Sequence, residues 1–177
     1  MSDAMNEARS LFELQQLEAA IKSELDLNSQ VLPCSSEVPI TTLAIELEAD
    51  AKGRSRIASL IFIPLDESDV ETLKLLQFYC ETPIKLEDDL SRSAIIELLP
   101  TINLKIPLGS FCLDSQNQVV FKYVNALGKS RGIDPEEFLE TLLLWMFTLD
   151  SMSVLIDSVV TSECSLQSAM QALMDDD

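Results

Sequence analysis

The segment from Phe138 to Val160, FLETLLLWMFTLDSMSVLIDSVV, limits what this chain can fold into more than any other stretch. Read as a helix, it is too apolar to have a single buried face and too acidic to lie in a bilayer. A surface helix buries a stripe about 100° wide and leaves the rest polar. Here Leu142, Leu143, Leu144, Trp145, Met146 and Phe147 are consecutive and point in every direction around the axis. Glu140, Asp150 and Asp157 lie inside the segment, and a carboxylate near the middle of a spanning helix costs roughly 2.5–3.5 kcal/mol. Membrane insertion is therefore not expected. Protein should cover the helix on two sides, the chain's own core on one and a second copy or a partner on the other.

With 177 residues, one core can be buried without metals or disulfides. The expectation is a single domain over residues 1–174, followed by a frayed acidic tail, 175–177. The formal charge of −18 is unevenly placed. Residues 1–50 hold ten acids and two bases, 51–133 hold ten of each, and 134–177 hold ten acids and no base. Binding to DNA or RNA needs basic groups that displace counterions from phosphates, so no nucleic-acid partner is expected. An anionic membrane surface would repel the chain as well. The charge reads as a solvated coat or as an acidic face for a basic partner.

Cys34, Cys80, Cys112 and Cys164 are far apart and histidine is absent, so the clustered ligands of a zinc site are lacking. No basic, then apolar leader opens the sequence. Free thiols and a cytoplasmic location are expected.

Residues 6–25 carry an amphipathic helix with Leu11, Leu14, Leu17 and Ile21 on one face. Residues 26–38 read as a loop. Leu43, Ile45 and Leu47 alternate with polar neighbours over 42–48, a strand with one wet face. The turn at 50–54 leads into a second strand, 56–63, which makes a hairpin. Residues 66–80 admit a helix opened by acids, or an acidic loop and then a strand over about 72–80 closed by Pro83; the second is expected. A helix over 88–99 should kink or end at Pro100. Strands at about 106–113 and 118–127 flank a polar turn at 114–117. Asp134-Pro135-Glu136-Glu137 is a strong helix start, an acidic cap with proline at the first helical position. That helix runs to about 160, and a short one follows at 165–174. Antiparallel hairpins with helices make an α+β layered domain.

Without histidine there is no imidazole base, no Ser-His-Asp triad and no Cys-His pair. Four glycines form no phosphate-cradling loop. Asp66, Glu67, Asp69 and Glu71 cluster, but without the glycine and spacing of a calcium loop, and they read as a solvated loop. Asp88 and Asp89 read as acids at a helix start. No catalytic, cofactor or metal residues are expected. Trp145, Met146 and Phe147 are either plain core or an anchor for a partner, since aromatics dominate binding hot spots. Leu144 and Leu155 interrupt the polar line Glu137, Glu140/Thr141, Thr148, Ser151, Ser158 and should add to an apolar surface. Leu144, Trp145 and Leu155 are thus the candidate interface residues.

The stretch LKIPLGSFCLDSQNQVVFKY from Leu104 to Tyr123, followed by IDPEEFLETLLLWMFTLDS from Ile133, resembles the bacterial YbjN family. Pro107, Leu108, Gly109, Phe111, Leu113 and Asp114 occupy the most distinctive block, and Leu75-Leu76-Gln77-Phe78-Tyr79 resembles the family's middle strand. The similarity covers roughly residues 40–160. It implies a fold like the type III secretion chaperones, a curved antiparallel sheet of about five strands with helices on one side, often homodimeric. It also implies a regulator linked to sensing or stress, with no established catalysis and no catalytic residues to carry over. The expected function is therefore a non-catalytic regulator or chaperone-like adaptor that binds another protein and dimerises. Two alternatives stay open. An export chaperone would hold one unfolded client, whereas an enzyme or small-ligand domain would show a deep pocket with convergent polar groups.

Overall fold

A computed structural model describes residues 2–65 and 70–175, of which 2–6 are described by their backbone alone. Among the described residues, four helices and six strands follow in the order α1 (Ser2–Glu24), β1 (Ser29–Leu32), β2 (Thr42–Leu47), β3 (Arg56–Phe62), β4 (Leu73–Lys85), α2 (Asp89–Lys105), β5 (Ser110–Leu113), β6 (Gln118–Gly128), α3 (Pro135–Val160) and α4 (Leu166–Asp175). The strands form one open antiparallel sheet in the order β1-β2-β3-β4-β6-β5, and the helices pack against it. The class is α+β, as the sequence predicts.

Cα proximity gathers the chain into two compact units. The first comprises Met1–Glu48, Ile57–Tyr79 and Val124–Leu143. In it α1 buries Leu14, Leu17 and Ile21, the expected face, while β2 buries Leu43, Ile45 and Leu47 and exposes Glu46. β1 was expected to be loop. It pairs with β2 in the register Ser29↔Ile45 to Leu32↔Thr42. At four residues, between Asn28 and Pro33, it has too little alternation to be read locally.

The second unit comprises Ala49–Arg56, Cys80–Tyr123 and Leu144–Asp177. Asp88 caps α2, its carboxylate accepting from the Leu90 and Ser91 N–H groups and the Ser91 hydroxyl. Of the two outcomes expected at Pro100, a kink or an end, the end does not occur: α2 runs through the proline to Lys105. Pro100 and Ile96 are both on the exposed face, so the Ile96 carbonyl that loses its donor can meet water. The turn beyond buries Ile102 and places Asn103 beside β5. Asn103 accepts from the Phe111 N–H at 2.8 Å and donates to the Phe111 carbonyl at 3.0 Å, covering the outer edge of a terminal strand. The extra helical turns shorten β5 to Ser110–Leu113.

β4 runs to Lys85, so Pro83 does not close it. Beside Pro83 the flank is Arg54, which precedes β3 and donates its guanidinium to the Pro83 carbonyl at 3.2 Å, so no ladder N–H is needed there. The face that β4 buries is Leu76, Phe78, Cys80, Thr82 and Ile84. Apolar residues occupy both parities between 75 and 80, which hides the face. The Asp66, Glu67 and Asp69 cluster and the last two residues of the acidic tail lie outside the described residues, and Asp175 is the last residue of α4.

Candidate functional site

Helix α3 starts as its sequence dictates. Asp134 accepts from the Glu136 N–H at 2.9 Å, and the Phe138 N–H bonds back to the Asp134 carbonyl. Phe138, Leu142, Trp145, Leu149 and Ile156 form its buried stripe. Thr148, Ser151 and Thr161 donate to the carbonyl four residues back, so their hydroxyls are satisfied by the helix itself. Thr148, which the sequence placed on a polar line, is for that reason able to sit in the core.

Trp145 is fully buried and stacks on Phe121 with ring centroids 5.4 Å apart. Phe121 stacks in turn on Phe111 at 4.3 Å, across a register in which the two are directly opposed. Gly109 lies under this pair. A Cβ there would come within 2.8 Å of the Phe121 ring, and its φ of +75° also suits glycine. The Pro-Leu-Gly block and the tryptophan therefore belong to one aromatic stack. Trp145 is corrected from candidate contact residue to core residue, because the chain itself already encloses it.

The acids of the second half of α3 meet bases of the turn between β2 and β3 and of the first residue of β3. Asp157, itself buried, holds Lys52 at 2.8 Å and Arg54 at 3.2 Å. Arg54 also pairs with Asp50 at 2.6 Å, and buried Arg56 pairs with Asp150. Burial pushes the Asp50 carboxyl up, but the Arg54 side chain and the N–H groups of Arg54 and Lys52 outweigh it and hold the group below the ordinary carboxylate value. Hydrogen bonding to Asp157 holds Lys52 above its ordinary value. The basic positions 52, 54 and 56 alternate in sequence, and sequence reading did not match them with acids a hundred residues away.

The opposite side of α3 is apolar and open. Leu143, Phe147 and Val154 are 47%, 68% and 55% exposed, with Leu144 beside them at 42%. Glu140, Leu143, Phe147, Asp150 and Val154 are spaced by three, four, three and four residues, the spacing of a seam between paired helices. Of the predicted contact residues, Leu144 lies next to this seam and Leu155 is half-buried at its margin. Phe147 and Val154 are the larger exposed groups, and sequence reading placed Phe147 only in a general anchor and Val154 nowhere. By length and composition alone α3 could also cross a bilayer.

Burial pushes the Cys80 thiol up to about 12, so it stays protonated. All four cysteines are free thiols, and among the described residues no cluster of His, Cys, Asp or Glu is gathered to hold a metal. The first unit does contain a cleft of about 380 Å³ between α1, the connection from β1 to β2, and the facing ends of β3 and β4. Arg9, Glu13, Lys74 and Lys129 line it together with Phe62 and Ile40.

The YbjN family model, described as "Putative bacterial sensory transduction regulator", matches residues 41–153. That span contains the Pro-Leu-Gly block, the aromatic stack and most of the α3 seam. No curated protein and no solved structure matches the chain at a significant level.

Proposed function

The chain belongs to the YbjN family, and from that premise we propose that it is a non-catalytic cytoplasmic regulator that works through protein contacts made by α3, first of all with a second copy of itself. The observation that carries this reading is the exposed seam Leu143, Phe147, Val154 with its neighbour Leu144. Soluble monomers rarely leave such an apolar row open without a use for it. The seam also suits an identical partner. Asp150, its one central acid, is paired to Arg56 of its own chain, and Asp157 is paired to Lys52 and Arg54. Two copies would therefore meet along apolar side chains, with Asp150 and Asp157 already balanced within each chain. The same pairing disfavours membrane insertion, because moving α3 into lipid would strip both aspartates of their partners.

The test is the variant Leu144→Glu/Phe147→Glu. Both side chains are exposed, so the fold should be retained by circular dichroism while self-association is lost. Unchanged self-association in the folded variant would remove α3 as the contact surface.

A further inference from the structure

We infer that the cleft of the first unit is a binding site for a small amphipathic anion, a carboxylate carried on an apolar tail. This inference does not depend on how copies of the chain pair through α3. The cleft collects three of the twelve basic residues of a chain whose net charge is −18, namely Arg9, Lys74 and Lys129. Two acids, Glu7 and Glu13, stand against them, Glu7 at the exposed rim.

The inner group is a nearly buried pair. Lys74 donates to Glu13 at 2.6 Å, with their side chains 12% and 9% exposed. The same Glu13 also receives Arg9 at 3.2 Å. One carboxylate thus serves two cations, nearly buried Lys74 and half-exposed Arg9, so among the described lining residues the bases outnumber the acids by one. An anion entering the cleft would meet that excess beside a nearly buried ammonium. An ammonium has three donors and a guanidinium five, so both bases retain donors for a second acceptor. At the mouth, Lys129 donates to the Val70 carbonyl at 2.7 Å and its own carbonyl accepts from Arg9, which fixes the third base in place.

The remaining wall sets the rest of the ligand. The Phe62 ring lies 5.4 Å from the Lys74 ammonium, and Ile40 and Leu73 add aliphatic surface. A volume of about 380 Å³ falls at the low end of small-molecule sites. A charged head at Arg9 and Lys74 with a short hydrocarbon tail against Phe62 satisfies both halves of the lining.

Exposed Cys34 lines the cleft, while exposed Cys112 lies in β5 and is not among the lining residues. The two thiols therefore act as probe and control. Alkylation of the intact protein by iodoacetamide would be followed at each cysteine by mass spectrometry, with octanoate below its micellar range or with octan-1-ol. Octanoate at ten times its Kd should slow Cys34 about tenfold and leave Cys112 unchanged. Arg9→Gln, at a half-exposed side chain, and Lys74→Met should each weaken that protection. No protection of Cys34 by octanoate would overturn the inference. Equal protection by octan-1-ol would overturn it too, since the bases would then play no part. Lys74→Met takes a nearly buried cation from Glu13 and leaves it only the half-exposed Arg9, so Arg9→Gln decides the outcome if Lys74→Met does not fold.

Discussion

Gly109 and Gly53 separate two reasons for needing glycine. Both have a left-handed φ, +75° and +76°, but a Cβ at Gly53 meets nothing within 4 Å whereas one at Gly109 collides with Phe121. Gly53→Ala should therefore cost only the backbone strain, about 1–2 kcal/mol. Gly109→Ala should cost that and a further ~1–3 kcal/mol of overpacking, read as the difference in urea unfolding between the variants. Trp145→Ala, at the far end of the same stack, should cost about 3–5 kcal/mol. The glycine in the Pro-Leu-Gly block was legible as part of a family pattern, but its cause was not. Nothing local says that a ring twelve residues later will lie over it, because β5 and β6 bring them together only once paired.

Asp50 adds a pH dependence at the same scale. Its folded carboxyl titrates below the ordinary value, so its contribution is fully present above about pH 4, the unfolded value. It is lost as the pH falls through the lower folded value. Asp50→Asn should therefore reduce stability at pH 7 and leave it nearly unchanged near pH 2. Equal losses at both pH values in denaturant titrations would assign the effect to packing rather than charge.

Among the elements, α3 shows what hydropathy can and cannot settle. Its run of apolar residues announced two covered sides, and one is indeed the aromatic core around Trp145. Which apolar residues faced out was only partly legible. Leu144 was found from the interrupted polar line, but the line itself failed because Thr148 satisfies its hydroxyl on the helix and can turn inward. Helix starts at Asp88 and Asp134 were legible because capping is local. The passage of α2 through Pro100 and of β4 through Pro83 was not, because exposure in one case and a flanking guanidinium in the other make proline tolerable. Asp157→Asn should lower the urea midpoint more than Glu163→Gln does. Asp157 is buried and serves two bases, whereas Glu163 is mostly exposed and serves Lys52 alone. The reverse order would deny the ion pairs a part in holding α3 to the turn.

At the scale of the whole molecule, a charge of −18 opposes any meeting of two copies. The proposed pairing along the α3 seam would then be apolar in origin and should tighten as salt screens the remaining repulsion. A complex with a basic partner would loosen under the same change. The α+β class and most strands were visible in the sequence because alternation and capping recur along it, while the edge strand β1 and the sheet order depend on non-local pairing. The most direct measurement is sedimentation equilibrium of the unmodified chain over a range of concentrations. A mass approaching twice 19.7 kDa, with the dimer favoured as salt is raised, is the predicted result. A mass of 19.7 kDa at every concentration and salt would contradict the claim that α3 pairs with a second copy.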